Sequence, residues 1–68
     1  PIIQAVCFTR DIFSTAAARR WLRKHEFKPI KKVHQTKTLL RYRMHNPDPS
    51  KQHRVKKIAD GINLIIEF

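Results

Sequence analysis

Glycine is almost missing from this chain: Gly61 is the only one in 68 residues. A glycine-rich phosphate loop is therefore excluded, because its backbone needs several such positions. Cysteine also occurs once, at Cys7, so no internal disulfide can form. Its place in an apolar run reads as a small core residue and fits a reducing compartment. Acidic residues are scarce. Asp11, Glu26, Asp48, Asp60 and Glu67 are the whole set, and they offer neither a carboxylate pair nor a serine triad. The histidines, His25, His34, His45 and His53, show no H-x-x-x-H spacing and Cys7 no C-x-x-C, so neither metal nor other cofactor is expected. No apolar run approaches the roughly twenty residues of a membrane span, and none resembles a signal-peptide h-region.

What the chain has is positive charge. Lys and Arg number 15 against five acids, for a formal net charge of +10. All of them lie between Arg10 and Lys57, so the ends read as apolar strands and the middle carries the charge. Such a balance favours polyanionic partners: nucleic acid, an anionic membrane or an acidic protein surface. The length makes one domain, residues 1–68, with a small core. A homo-oligomer or a larger assembly would add the stability that such a core lacks.

The segment that reads most plainly is Phe13 to Phe27, a helix. Ser14 is a good N-cap, since its hydroxyl can accept a bond from an orphan N–H of the first turn. The alanines that follow cost least in a helix. Ala18, Trp21, Leu22 and His25 fall at i, i+3, i+4 and i+7, one face, which should pack on a sheet with Trp21 in the core. Arg19, Arg20, Arg23 and Lys24 project elsewhere. His25 suits the helix end, where a partly charged imidazole meets the negative end of the dipole.

The remaining elements follow in order. Ile2 to Phe8 is a strand without a breaker, apolar on both alternating faces, with Ile2, Val6 and Phe8 on one and Ile3, Ala5 and Cys7 on the other; it should be central. Lys28-Pro29 forces extended backbone after the helix. Ile30 to Gln35 and Thr38 to Met44 read as strands around a turn at Thr36-Lys37. In the second, Leu40 and Tyr42 should meet the helix, and Arg41 and Arg43 should point away from it, about 7 Å apart by strand geometry. His45 to His53 is a loop by every signal and the expected mobile stretch. Arg54 to Ala59 reads as a short strand, Asp60-Gly61 as a tight turn with φ above zero at Gly61, and Ile62 to Phe68 as the last strand, with Ile62, Leu64, Ile66 and Phe68 on one face. The fold class is α+β: a single helix on one face of a small antiparallel or mixed sheet, in the order β-α-β-β-(β)-β.

These residues carry a resemblance. An apolar strand, Phe13-Ser14, Ala17-Ala18, Trp21-Leu22, His25, Phe27-Lys28-Pro29, a strand with Leu40-Arg41-Tyr42-Arg43, and Gly61-Ile62 opening an apolar strand together resemble a small domain of tailed-phage proteins. That domain is found beside head-morphogenesis or prohead-protease segments, and similar stand-alone copies occur in large eukaryotic DNA viruses. The chain departs from it at the end: Ile66-Glu67-Phe68 replaces a small residue or glycine. The resemblance implies association with a virion, assembled in the host's reducing interior, and no catalytic residues.

Candidate binding residues come from the charge. Arg19, Arg20, Arg23 and Lys24 crowd like charges into two turns, where each i,i+4 pair costs a few tenths of a kcal/mol. A solvated helix face explains them as well as a phosphate-binding one. Arg41 and Arg43 can fork onto phosphates or carboxylates, or protect an edge strand. Lys31, Lys32, Lys56 and Lys57 lie on neighbouring segments and would extend that patch. Tyr42, alternating with the arginines, reads as core and not as a base-stacking platform, which argues for backbone contact over sequence-specific recognition.

Three functions are consistent with this. The first is a basic, virion-associated, non-enzymatic module that contacts polyanion, with DNA backbone the expected partner. The second is a minor capsid protein held between larger subunits by apolar strand edges and contacts to their acidic surfaces. The third is an enzyme using a free Pro1 amine as base, as in small tautomerases that open with proline and a strand. Their helix pattern and glycine-bearing strand are not found here. Removal of an initiator Met, or a start within a longer chain, accounts for Pro1 equally well.

Overall fold

The unbroken run at the start of the chain becomes the middle of a sheet. The computed structural model describes Pro1–Phe68 and contains β1 (Ile2–Thr9), α1 (Thr15–Lys24), β2 (His34–Gln35), β3 (Leu39–Arg43), β4 (His53–Ala59) and β5 (Ile62–Glu67). The five strands form one sheet in the order β2-β3-β1-β5-β4, and every neighbouring pair is antiparallel. One helix lies on one face, so the fold is the α+β arrangement expected from the sequence.

β1 is central, with Gln4, Ala5, Val6, Cys7 and Phe8 all buried. Its alternation differs from the expected one. A bulge between Ile3 and Ala5 inserts Gln4 as an extra residue and shifts the face of what precedes it. Ile3 joins Val6 and Phe8 in packing with the helix-side core, and Ile2 is left 44% exposed opposite Glu67. Gln4 has a reason to be there. Its amide donates to the His45 carbonyl at 2.7 Å and its carbonyl accepts from Arg41 at 2.9 Å.

The helix forms where the cap and the alanines place it. The Ser14 hydroxyl accepts the Ala17 N–H at 3.1 Å. At the other end Phe27 N–H donates to the Leu22 carbonyl at 2.8 Å and Glu26 N–H to the Arg23 carbonyl at 3.1 Å. These are the paired bonds of a Schellman motif, which needs a left-handed residue; Glu26 supplies it with φ 62. His25 Nδ1 lies 2.8 Å from the Trp21 carbonyl, the helix-closing role expected of it.

Ala18 and Leu22 are the helix residues that enter the core, beside Val6, Phe8, Leu40, Tyr42, Met44 and Ile62. Trp21 is only half-buried. It meets Phe8 edge-on at 5.6 Å and stacks between His25 at 3.9 Å and Phe27 at 5.8 Å. The indole thus flanks the core instead of leading it, because the packed stripe is centred on the i,i+4 pair Ala18 and Leu22.

An expected boundary changes. The strand read as Ile30 to Gln35 shrinks to His34–Gln35. Ile30 keeps one bond, its N–H to the Arg43 carbonyl at 2.9 Å, and then the chain leaves the sheet. Pro29 has no N–H to give, and of the apolar residues in this stretch only Val33 packs on the core while Ile30 is 51% exposed. The loop between β3 and β4 is anchored to the sheet end by hydrogen bonds. Glu67, buried at the end of β5, accepts the Asp48 N–H at 2.9 Å and sits 2.9 Å from His53 Nε2. Cys7 is buried, as expected of a core residue.

Candidate polyanion-binding groove

Departure of residues 30–33 from the sheet opens a groove between that segment and α1. On the helix, Arg19 and Arg23 stand one turn apart and share a flank beside the packed Ala18–Leu22 stripe. Lys28, Lys31 and Lys32 stand on the opposite wall, and the groove, about 830 Å³, is floored by Leu22, Phe27, Val33 and Tyr42. No carboxylate lines it. The local sequence explains the walls. The left-handed turn at Glu26 reverses the chain, Pro29 straightens it, and the Ile30–Arg43 hydrogen bond fixes its distance from β3.

Tyr42 differs from the other core residues in having a polar end. It is 4% exposed, and its hydroxyl is buried without a hydrogen-bond partner. Burial pushes its ionisation up, against a smaller opposing pull from the Arg19 guanidinium, so the phenol keeps its proton and stays a donor. A buried phenol usually finds a partner. This one does not, and it lies at the base of a groove lined by five cations.

The residues proposed from sequence divide among several surfaces. Arg19, Arg23, Lys31 and Lys32 come together in the groove. Arg20 and Lys24 are exposed elsewhere on α1. Arg41 and Arg43 lie on the other face of the sheet, opposite Cys7 and Ala5 in register, half-buried, each with its Nε buried and unpartnered. Lys57 shares their face through its pairing with Asn63, and Lys56 pairs with Leu64 on the helix side at the far edge. Of the four lysines expected to extend the patch at Arg41 and Arg43, Lys57 alone shares its face. Strand alternation puts Lys56 and Lys57 on opposite faces, and the early exit from the sheet carries Lys31 and Lys32 to the helix side. Lys28 and the Tyr42 hydroxyl were missed as groove residues. Lys28-Pro29 was legible as an extended exit from the helix, but its direction depends on the turn at Glu26.

The charge is left almost uncompensated. Of the 15 Lys and Arg, Lys57 alone has a carboxylate within 4.0 Å, at 3.6 Å from Asp60, and both groups are exposed. The other close pair is His53 with Glu67. Arg41 and Arg10 donate to neutral acceptors, Gln4 and the Thr36 carbonyl. No three His, Cys, Asp or Glu side chains converge, and no helix is long and apolar enough to cross a membrane.

Fold and groove together describe a small basic α+β domain with a cationic cleft. Comparison with protein-family models, with curated proteins and with solved structures gave no match.

Proposed function

We propose that this chain is a non-enzymatic binding protein for the phosphate backbone of nucleic acid, DNA in the first place, and that it works within a virion. The observation that carries the binding is the uncompensated charge: almost every Lys and Arg lacks an internal acid. Like charges held this close repel one another, and an external polyanion relieves that repulsion while releasing its own counterions. The virion setting rests on the resemblance of the helix and of the Arg-x-Arg and Gly-Ile strands to the phage domain. No chemistry is assigned to Pro1, which is exposed at the start of β1.

The test is a titration of duplex DNA at several salt concentrations. Backbone binding gives log affinity falling linearly with log salt, with a slope close to the number of phosphates neutralised, and affinity that is indifferent to base sequence. A flat salt dependence would refute the proposal.

One observation favours the second reading, a structural protein between capsid subunits. β4 is an edge strand exposed along its whole length, with Val55 69% and Ile58 41% exposed. Such an edge can take another strand. Mass spectrometry of purified particles, with crosslinking, would find a fixed copy number and a neighbouring subunit joined through Lys56 or Lys57.

A further inference from the structure

We infer that the groove between α1 and residues 28–35 is the seat of the nucleic-acid strand, and that the Tyr42 hydroxyl donates a hydrogen bond to a backbone phosphate held there by Arg19, Arg23, Lys28, Lys31 and Lys32. The inference deepens the binding function proposed above and rests on it.

Two independent observations meet at this place. One is charge: five cations on facing walls with no acid between them. The other is an unsatisfied donor. Tyr42 is almost wholly buried, yet its hydroxyl bonds to nothing in the protein. A buried polar group without a partner is costly, and a phosphate oxygen, an acceptor that brings negative charge, answers both the donor and the cations. The hydroxyl lies below the groove surface in the free protein, and the Arg19 guanidinium is the charge that acts on it. Arg19 is exposed and lines the same groove as Tyr42, within reach of a phosphate seated there. Arginine suits that ligand because its fork grips phosphate in a bidentate way.

The open sheet face is the weaker candidate. Arg41 is already engaged by Gln4, and both Arg41 and Arg43 are half-buried over Cys7 and Ala5. Arg20 and Lys24 have charge but neither a groove nor a buried donor. The groove alone joins converging cations to an unsatisfied hydroxyl. The only rings in its lining are Phe27, half-buried, and Tyr42, buried, so the groove holds backbone and binding here is independent of sequence.

The experiment is fluorescence anisotropy with labelled 20-mer DNA, single- and double-stranded, over about 50–200 mM NaCl, with the full chain and three variants. Tyr42→Phe should bind about tenfold more weakly, the loss of one hydrogen bond to a charged acceptor. Its salt slope should not change, since no charge is removed. Its Tm should equal or exceed that of the parent, since an unsatisfied hydroxyl is gone, and that separates lost binding from lost fold. Arg19→Ala/Arg23→Ala should reduce the salt slope by about two, one per phosphate contact. Arg20→Ala/Lys24→Ala removes the same charge from the same helix outside the groove and should change the slope by less than about half a unit. If the parent binds DNA but Tyr42→Phe binds equally well, or the two double variants behave alike, the groove assignment is wrong and the binding function stands. If the parent shows no salt-dependent binding, both fail. Poly-glutamate is the last arm. If it displaces DNA at equal charge concentration through the same arginines, the groove takes carboxylates of an acidic protein and the phosphate assignment is overturned.

Discussion

His53 and Glu67 face each other across the outermost strand pair, with the imidazole Nε2 2.9 Å from Oε2, and that same oxygen accepts the Asp48 N–H at 2.9 Å. One buried carboxylate therefore ties β4 to β5 and holds the Pro-rich loop against the sheet end. The loop's own geometry adds a second anchor, since the Asp48 carboxylate accepts both the N–H and the hydroxyl of Ser50 at 3.0 and 2.7 Å.

These bonds make the loop sensitive to acid. The Asp48 N–H, and after it the bond and charge of His53, hold the Glu67 carboxyl below its ordinary value of 4.5, against the opposing effect of burial. Ser50 does the same for Asp48. A carboxyl whose folded pKa is depressed stabilises the fold fully above its unfolded pKa, and that contribution is lost as pH falls through the folded value. Tm should hold near neutral pH and decline below about pH 4.5 as these carboxyls protonate. Glu67→Gln should start from a lower Tm at pH 7 and show a shallower acid limb. Thermal melts of both proteins between pH 2 and 7 check this, and parallel acid limbs would show that Glu67 is not the group responsible.

Glu26 is the one non-glycine residue with positive φ, at 62°. It stands at the position after the helix where glycine is favoured, because a Cβ there crowds the neighbouring backbone. Glu26→Gly should raise stability by about 0.5–1 kcal/mol, the left-handed strain relieved less the added freedom of the unfolded chain. Urea unfolding measures the midpoint. The change also removes an acid beside Arg23 and Lys28, so DNA affinity should rise or stay level; a fall would mean that Glu26 shapes the groove.

Gly61 is constrained twice over. Its φ is +74, and a Cβ there would lie 3.0 Å from Ile12 Cδ1 and 3.2 Å from Ile12 Cβ and Phe13 Cε2. Gly61→Ala should cost about 1–3 kcal/mol. The two causes are separable, because Ile12 is 58% exposed and can be trimmed. Adding Ile12→Ala removes the Cδ1 contact and leaves the Cβ and Phe13 contacts at 3.2 Å, so it should recover part of the steric loss and none of the backbone part. Additive losses in the double variant would show that the contact with Ile12 Cδ1 contributes nothing.

The order of elements was legible because the local signals agreed. Ser14 and the alanines announced the helix, Asp60-Gly61 the turn, and Leu40 to Arg43 a strand with its arginines turned from the core. Two misreadings arose where a single residue redirects the chain. The bulge at Gln4 changes the face of Ile3, and no local pattern marks it, because the pairing of Gln4 with Arg41 and His45 spans the molecule. Residues 30–33 are apolar enough to read as strand, yet Pro29 and the reversal at Glu26 steer them away from it. The groove was invisible for the same reason. Its cations were all named but for Lys28, while their division between two faces of a sheet depends on that exit, and an unpartnered hydroxyl on Tyr42 is a property of packing alone.

Cys7 tests how the open face of the sheet is closed. The thiol is 5% exposed and paired in register with Arg41. Burial pushes its pKa up, and the guanidinium of Arg41 draws it partly back. Two effects of Arg41→Ala thus oppose each other: the thiolate becomes rarer, and the side chain lying over it, fastened to Gln4 at 2.9 Å, is gone. Reaction with a disulfide reagent needs both thiolate and access. In a site this closed access should govern, so the parent should label slowly and Arg41→Ala at least about tenfold faster at a denaturant concentration where both remain folded. Arg43→Ala, one residue pair further along beside Ala5, should change the rate little. A slower rate in Arg41→Ala would mean that the guanidinium acts on Cys7 through its charge more than through its cover, and that the open face admits reagent whether or not Arg41 lies across it.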